Sequence, residues 1–149
     1  MPFGTVLLVE DDPEVARLLM AVMRIWGYDA AHAPNSQVAV DFAMLHKNEI
    51  SLVVCDVLLL GESGPAVVAK IRDICPQIKT LFTSGSPFAV LCDNGLLTRE
   101  TLRNGDTGYI QKPFLPKDFN RAMQHLLETA SEGPESAPQT GVRYARAAY

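Results

Sequence analysis

Long hydrophobic runs are missing from this 149-residue sequence. No apolar stretch approaches the roughly 18 to 20 residues that a membrane-spanning helix needs. The N-terminal residues Met1 to Gly4 also lack the basic stretch of a secretory signal peptide. The three cysteines are far apart and form no C-x-x-C pair. A reduced, cytoplasmic protein without membrane attachment is the simplest interpretation.

Positive charge is also scarce. The net charge is −4, which argues against a broad basic face for direct contact with nucleic acid. No G-x-x-x-x-G-K-[ST] motif is present, so a P-loop nucleotide site is not expected. His32, His46 and His125 fall in different predicted elements without shared spacing, and we interpret them as ordinary residues rather than ligands or phosphohistidines.

Strand patterns alternate with helix patterns along the chain. Short apolar runs predict five strands at Thr5–Val9, Tyr28–Ala33, Ser51–Cys55, Lys79–Thr83 and Gly108–Gln111. Helices are expected after Asp12, after Asn35, at Pro65 and over Pro116–Glu128. This alternation predicts an α/β fold, a parallel sheet with helices on both faces.

The helical spacing also predicts which side chains face the core. In the first helix these are Val15, Leu18, Leu19, Val22, Ile25 and Trp26, and in the second they are Val38, Phe42 and Leu45. Between Phe88 and Thr107 the pattern is weak and interrupted, which indicates a shortened or irregular helix. After Ala130 proline, glycine, serine and alanine dominate, so we expect one domain over residues 4–130 and a flexible tail over 131–149.

Chemically active side chains follow four of the five predicted strands. Glu10 and Asp11 come after the first strand, Asp56 after the third, Ser84 after the fourth and Lys112 after the fifth. In open α/β sheets ligands bind outside the carboxyl ends of the strands, so these groups should converge on one edge. Asp12 is instead interpreted as a helix cap.

Three clustered carboxylates repel one another unless a cation joins them. Mg²⁺ suits a site with few carboxylates, several waters and a phosphate. Phosphoryl transfer depends mainly on positioning and charge neutralisation. In this interpretation Asp56 is the nucleophile, Lys112 and Mg²⁺ neutralise the phosphoryl oxygens, and Ser84 donates a hydrogen bond to the transferred group.

Four segments together resemble the receiver domain of two-component response regulators. They are LLVEDDPEV (Leu7 to Val15), LVVCDVLLLGESG (Leu52 to Gly64), LFTSG (Leu81 to Gly85) and GYIQKPF (Gly108 to Phe114). Their order and separation match the family over roughly residues 4 to 130. The resemblance implies a flavodoxin-like, doubly wound, five-stranded parallel sheet with strand order 2-1-3-4-5.

The resemblance also assigns roles by position. Glu10 and Asp11 match the acidic metal-binding pair and Asp56 the phospho-acceptor. The backbone carbonyl of Leu58 would be a further metal ligand. Ser84 and Tyr109 match the switch residues. Lys112 matches the family's invariant lysine, and the Lys112-Pro113 bond would be cis.

This sequence departs from the family in three places. Leu60 stands where many receivers have proline. Leu58 and Ser86 occupy positions that tune the lifetime of the phosphoryl group, and neither holds a water as a long polar side chain could. Slow self-dephosphorylation is therefore expected. The segment between Ser84 and Tyr109 is longer than in compact members and is similar to receivers attached to hybrid sensor kinases.

The resulting hypothesis is a phospho-acceptor in a phosphorelay, catalysing only its own phosphorylation and dephosphorylation. Its donor would be a histidine kinase or histidine phosphotransfer protein, and its output a protein contact, since about 19 residues after Ala130 are too few for a helix-turn-helix domain. Two alternatives stay open. One is a Mg²⁺-dependent phosphatase with an aspartyl nucleophile, which usually needs a second acid where this chain has Leu58. The other is a receiver-like scaffold without phosphoryl chemistry.

Overall fold

Five parallel strands form one sheet in a computed structural model that describes residues 4–129. The strands are β1 (Thr5–Val9), β2 (Asp29–Ala33), β3 (Ile50–Asp56), β4 (Lys79–Ser84) and β5 (Thr107–Gln111). Their order is β2-β1-β3-β4-β5, which confirms the flavodoxin-like fold that the resemblance implied. The predicted strand bounds agree with these to within one residue. The predicted tail, 131–149, lies outside the described residues.

Helices connect the strands and cover both faces of the sheet. They are α1 (Pro13–Ile25), α2 (Ser36–His46), α3 (Gly64–Ile74), α4 (Phe88–Asp93) and α5 (Pro116–Glu128), with a 3₁₀ helix at Arg99–Asn104. Within residues 4–129, no helix combines the length and the apolar character that crossing a bilayer requires.

Side-chain caps fix the starts of the first three helices. The carboxylate of Asp12 accepts hydrogen bonds from the backbone N–H groups of Glu14 and Val15, which confirms its predicted role as a cap. Asn35 caps α2 through the N–H of Val38, and Ser63 caps α3 in the same way. Each cap lies shortly after the end of a strand or in the loop that follows it. By fixing where the next helix begins, it also restrains the residues at the strand end.

The sheet separates two apolar cores. On one face, α1 and α5 pack over β-strand residues such as Leu8 and Val54. On the other, α2, α3 and α4 pack over residues such as Val9 and Val53. The predicted inward residues of α5 are all buried, namely Phe119, Ala122, Met123 and Leu126.

The predicted buried faces of α1 and α2 were partly wrong. In α1, the predicted Leu18, Ile25 and Trp26 are exposed, and the sheet-facing positions belong to Ala16, Leu19, Val22 and Met23. In α2, Val38 and Leu45 are exposed while Ala39 and Ala43 are buried. In α2 the small residues lie against the sheet, where they let the helix backbone approach closely, and the larger neighbours lie on the outer side.

The segment between β4 and β5 has only a short helix, as the interrupted pattern predicted. Helix α4 has 6 residues and ends before Gly95, whose φ of 78° suits glycine. The chain then enters the 3₁₀ helix, which buries Leu102. The Lys112-Pro113 peptide bond is cis, as the resemblance implied.

Gly64 allows the start of α3 to lie directly against the end of β3. Its N–H donates to the carbonyl of Val57 at 2.7 Å. A Cβ at this position would lie 2.1 Å from the carbonyl oxygen of Asp56 and 2.9 Å from the Cα of Val57. Both obstructing atoms are backbone, so relief requires moving the strand end that carries Asp56.

We therefore expect Gly64→Ala to lower the free energy of unfolding by about 2 to 3 kcal/mol, the cost of overpacking a close contact. Urea denaturation would measure this. Gly85→Ala is the matched control, because a Cβ there meets nothing within 4 Å and φ is not positive. Equal stability of the two variants would contradict the packing argument.

Candidate functional site

Three carboxylates meet at the edge formed by the carboxyl ends of the strands. Glu10 and Asp11 follow β1, and Asp56 is the last residue of β3, the strand next to β1. One oxygen from each of the three groups lies within 4.8 Å of the others. The sequence prediction that these acids converge is therefore confirmed in geometry.

Lys112 bridges two of these acids. Its Nζ lies 3.0 Å from Oε1 of Glu10 and 3.0 Å from Oδ2 of Asp56. The Glu10 side chain is only 1% exposed, and those of Asp56 and Lys112 are 13% and 23% exposed. Because all three are largely shielded from water, each charge depends on its partner more than a surface pair would.

Backbone N–H groups occupy further carboxylate oxygens. The N–H of Leu58 donates to Oδ1 of Asp56 at 3.1 Å, and the N–H of Leu60 donates to Oδ2 of Asp11 at 2.8 Å. The N–H of Asp12 donates to Oε2 of Glu10 at 3.2 Å. The loop after β3 is thus tied to both Asp56 and Asp11, a connection that the side-chain pattern did not predict.

Burial and pairing change the proton affinities of this site. Burial raises the pKa of Glu10 above its ordinary value, and the hydrogen bonds and attraction from Lys112 and the Asp12 N–H offset this only in part. Burial acts to lower the pKa of Lys112, but its bonds to Asp56 and Glu10 outweigh burial and leave that pKa raised. Lys112 is therefore the positive charge that counteracts the effect of burial on the pKa of Glu10.

Ser84 is the last residue of β4, and Tyr109 lies on the neighbouring strand β5. Ser84 is 1% exposed, and its Oγ accepts a hydrogen bond from the N–H of Ser86 at 3.1 Å. The Tyr109 ring is fully buried, 5.5 Å between centroids from the ring of Phe88, and its hydroxyl donates to the Ser86 carbonyl. The Tyr109 side chain thus lies inside the domain, against the first residue of α4.

Leu58 and Cys55 flank Asp56 differently. The Leu58 side chain is 52% exposed and brings no polar group to the site. Cys55 lies in the core on the opposite face of β3, as alternation along a strand requires, and burial raises the pKa of its thiol far above the ordinary value. Neither side chain supplies a second acid or nucleophile.

The donor set fits a small hard cation. Mg²⁺ binds oxygen ligands at about 2.0 to 2.1 Å, so two ligands on one ion lie within roughly 4.2 Å of each other. The clustered oxygens of Glu10, Asp11 and Asp56 are close to this spacing. Oxygen-only ligands favour Mg²⁺ over metals that prefer nitrogen or sulfur.

Comparison with known proteins points to one family. A family model described as the response regulator receiver domain matches residues 6–124. The transcriptional regulatory protein ZraR of Salmonella typhimurium is 30% identical over 142 residues, which cover 92% of this chain and 30% of ZraR. The sensor kinase CckA of Brucella abortus is 27% identical over 125 residues, covering 84% of this chain and 13% of CckA. The chain therefore spans less than a third of these relatives.

Solved structures agree on the fold. The receiver domain of the hybrid histidine kinase CckA superposes with a TM-score of 0.66 at 24% identity, covering 83% of this chain and 99% of that one. The signal receiver domain of an HD domain-containing protein from Pseudomonas fluorescens Pf-5 gives 0.70 at 21% identity, covering 87% and 90%.

The raised pKa of Glu10 predicts a pH dependence that Lys112→Met should amplify. A carboxyl whose pKa is raised on folding stabilises the folded state at low pH, where it is protonated. This stabilisation is lost as the pH rises from about 4.5 through the pKa of the carboxyl in the folded protein. Without Lys112, Glu10 loses its cation and its pKa rises further.

We expect the free energy of unfolding of Lys112→Met to fall more than that of wild type between pH 5 and pH 8, because the further rise in the pKa of Glu10 widens the pH range over which folding takes up a proton. Urea titrations with chelator at both pH values would measure this. Lys117→Met is the control, since Lys117 is exposed on α5. Parallel pH profiles for wild type and Lys112→Met would show that Lys112 does not set the charge of Glu10.

Proposed function

The chain belongs to the family of response regulator receiver domains, and from this premise we propose that it is a phospho-acceptor in a two-component phosphorelay. Asp56 takes the phosphoryl group. The observation that carries this is the double contact of Lys112 Nζ with Asp56 and Glu10 inside a cluster of three carboxylates. A cation this close to a shielded carboxylate supplies the charge neutralisation that phosphoryl transfer requires.

The transfer needs only one new bond on the protein. A carboxylate oxygen of Asp56 attacks the phosphorus of a phosphohistidine, the P–N bond breaks, and the released imidazole nitrogen takes up a proton. The product is an acyl phosphate on Asp56. Lys112 is placed to contact the phosphoryl oxygens, because its Nζ is 3.0 Å from the attacked carboxylate.

Mg²⁺ bound at the acidic cluster would neutralise charge on the transferring group. We assign its protein ligands as Glu10, Asp11, Asp56 and the backbone carbonyl of Leu58. The clustered carboxylates support the first three. The hydrogen bond from the Leu58 N–H to Asp56 keeps Leu58 beside the site and supports the fourth.

Ser84 and Tyr109 are the proposed switch. A phosphoryl group adds roughly −1.5 to −2 charge. The Ser84 hydroxyl donates to it after leaving its contact with the Ser86 N–H. The hydrogen bond from Tyr109 to the Ser86 carbonyl then changes as well. The effect is a shift between two existing conformations.

The partners follow from this chemistry. The donor is a histidine kinase or a histidine phosphotransfer protein, and the signal passes on by contact with a further protein. In this role the domain catalyses only its own phosphorylation and dephosphorylation. The phosphatase alternative has less support, because Leu58 holds the position of the second acid that such enzymes usually need.

Incubation with Mg²⁺ and a small acyl phosphate should add a single phosphoryl group, visible in the intact mass. We expect no adduct in Asp56→Asn, which lacks the nucleophile, or in chelator. Asp41→Asn is the control, because Asp41 is a carboxylate on α2 paired only locally with Gln37 in the described residues. A wild-type chain that gains no adduct from an acyl phosphate or from its histidine kinase would sink the proposal.

The exposed aliphatic side chain of Leu58 predicts a long-lived phosphoryl group, because it cannot orient a water for hydrolysis. We expect Leu58→Asn to shorten the half-life by about tenfold, which is roughly 1.4 kcal/mol of activation free energy. Release of labelled phosphate would measure both half-lives. Leu115→Asn, at another exposed leucine, should leave the half-life unchanged. A wild-type half-life of seconds would be the opposite result.

A further inference from the structure

His32 lies beside the acidic cluster although nothing in the phosphoryl chemistry uses it. It is the penultimate residue of β2 and pairs in register with Leu8 of β1. Its ring is half-buried, and its Nε2 lies 2.8 Å from the backbone carbonyl oxygen of Glu10. A histidine that the sequence marked as ordinary is therefore in contact with the peptide that joins Glu10 to Asp11.

The chemistry of this contact fixes its direction. A carbonyl oxygen can only accept a hydrogen bond, so Nε2 must carry the proton and donate. At 2.8 Å the bond is within the normal range for N–H···O. The ring therefore carries a proton on Nε2, because the contact with the Glu10 carbonyl requires a donor there.

The end of β2 explains why a side chain supplies this donor. The N–H of Glu10 continues the ladder by donating to the carbonyl of Ala33 at 3.1 Å. Beyond Ala33 the chain turns through Pro34 to Asn35, the N-cap of α2. β2 therefore ends at the point where a further backbone N–H would donate to the carbonyl of Glu10. The His32 side chain, from the same strand, supplies that hydrogen bond instead.

Glu10 and Asp11 are held by hydrogen bonds to their backbone and to their side chains. β2 binds the N–H of Glu10 through Ala33 and its carbonyl through His32. The carboxylate of Glu10 is held by Lys112, and the carboxylate of Asp11 by the N–H of Leu60. Fixing this carbonyl restricts ψ of Glu10 and φ of Asp11. These two torsions set the direction of the Asp11 side chain relative to that of Glu10.

We propose that His32 is a positioning residue for metal binding: its Nε2–H fixes the Glu10–Asp11 peptide, so that both carboxylates are presented to Mg²⁺ together. The proposal rests on the proposed function and deepens it. Hydrogen-bonded groups behind metal ligands typically contribute about 10- to 100-fold to metal affinity. The ring itself touches neither carboxylate in this role.

Mg²⁺ titration of the whole chain by calorimetry tests this with His32→Leu and His32→Gln. We expect His32→Leu to raise the Kd for Mg²⁺ about tenfold, the low end of the effect for such groups. His32→Gln should recover most of the affinity, because its amide nitrogen can donate from a similar place. His46→Leu is the control, since His46 lies on α2 and contacts Glu49.

The rate of phosphoryl uptake separates positioning from general damage. We expect His32→Leu to need more Mg²⁺ for half-maximal uptake but to match wild type at saturating Mg²⁺. A maximal rate that falls together with stability, or equal weakening in His32→Leu and His32→Gln, would show a structural role and overturn the proposal. Unchanged Mg²⁺ affinity in His32→Leu would overturn it while leaving the proposed function intact.

Nitrogen NMR of the wild-type chain at pH 8 gives a test independent of whether the variants fold. The His32 ring should carry its proton on Nε2, and a ring protonated on Nδ1 alone would refute the hydrogen bond. A wild-type chain that binds no Mg²⁺ would instead overturn the proposed function, and the role of His32 with it.

Discussion

The ion pairs of Lys112 offset the repulsion between the carboxylates that meet at the carboxyl ends of the strands. Glu10 is almost fully buried and Asp56 is largely so, and both face the same ammonium at 3.0 Å. Lys112 follows β5, while β1 and β3 lie on the far side of β4 in the sheet. The pairs therefore join strand ends across four neighbouring strands. Removing one partner from such a shielded pair leaves an uncompensated charge, which usually costs more than the pair contributes.

This arrangement demands a well-fixed backbone, and the fold supplies it through close packing and hydrogen bonds of backbone groups. Gly64 lets α3 start against the end of β3, within reach of the Val57 carbonyl. His32 and Ala33 hold the peptide at the end of β1. The N–H groups of the loop after β3 bind carboxylate oxygens directly. The flexible charged side chains converge because the strand ends beneath them cannot shift independently.

Much of this could be predicted from the sequence, and the failures have a common cause. Strands and caps were predictable because apolar runs and residues such as Asp12 act locally. The buried faces of α1 and α2 were misjudged because helical spacing does not show which of two adjacent rows of side chains faces the sheet. In α2, Ala39 faces the core where Val38 was expected. Asp56 and Lys112 were predictable from strand ends. The role of His32 was not, because its partner is a backbone carbonyl and leaves no side-chain pattern.

The contacts of Ser84 constrain how a change at Asp56 can reach the surface. The Ser84 hydroxyl accepts from the Ser86 N–H, and the Ser86 carbonyl accepts from Tyr109. Tyr109 packs on Phe88, the first residue of α4. Displacing Ser84 Oγ therefore breaks a bond to the same residue that holds the buried tyrosine. Since α4 has only 6 residues, such a disturbance acts on a short helix and the 3₁₀ segment after it rather than on a long rigid helix.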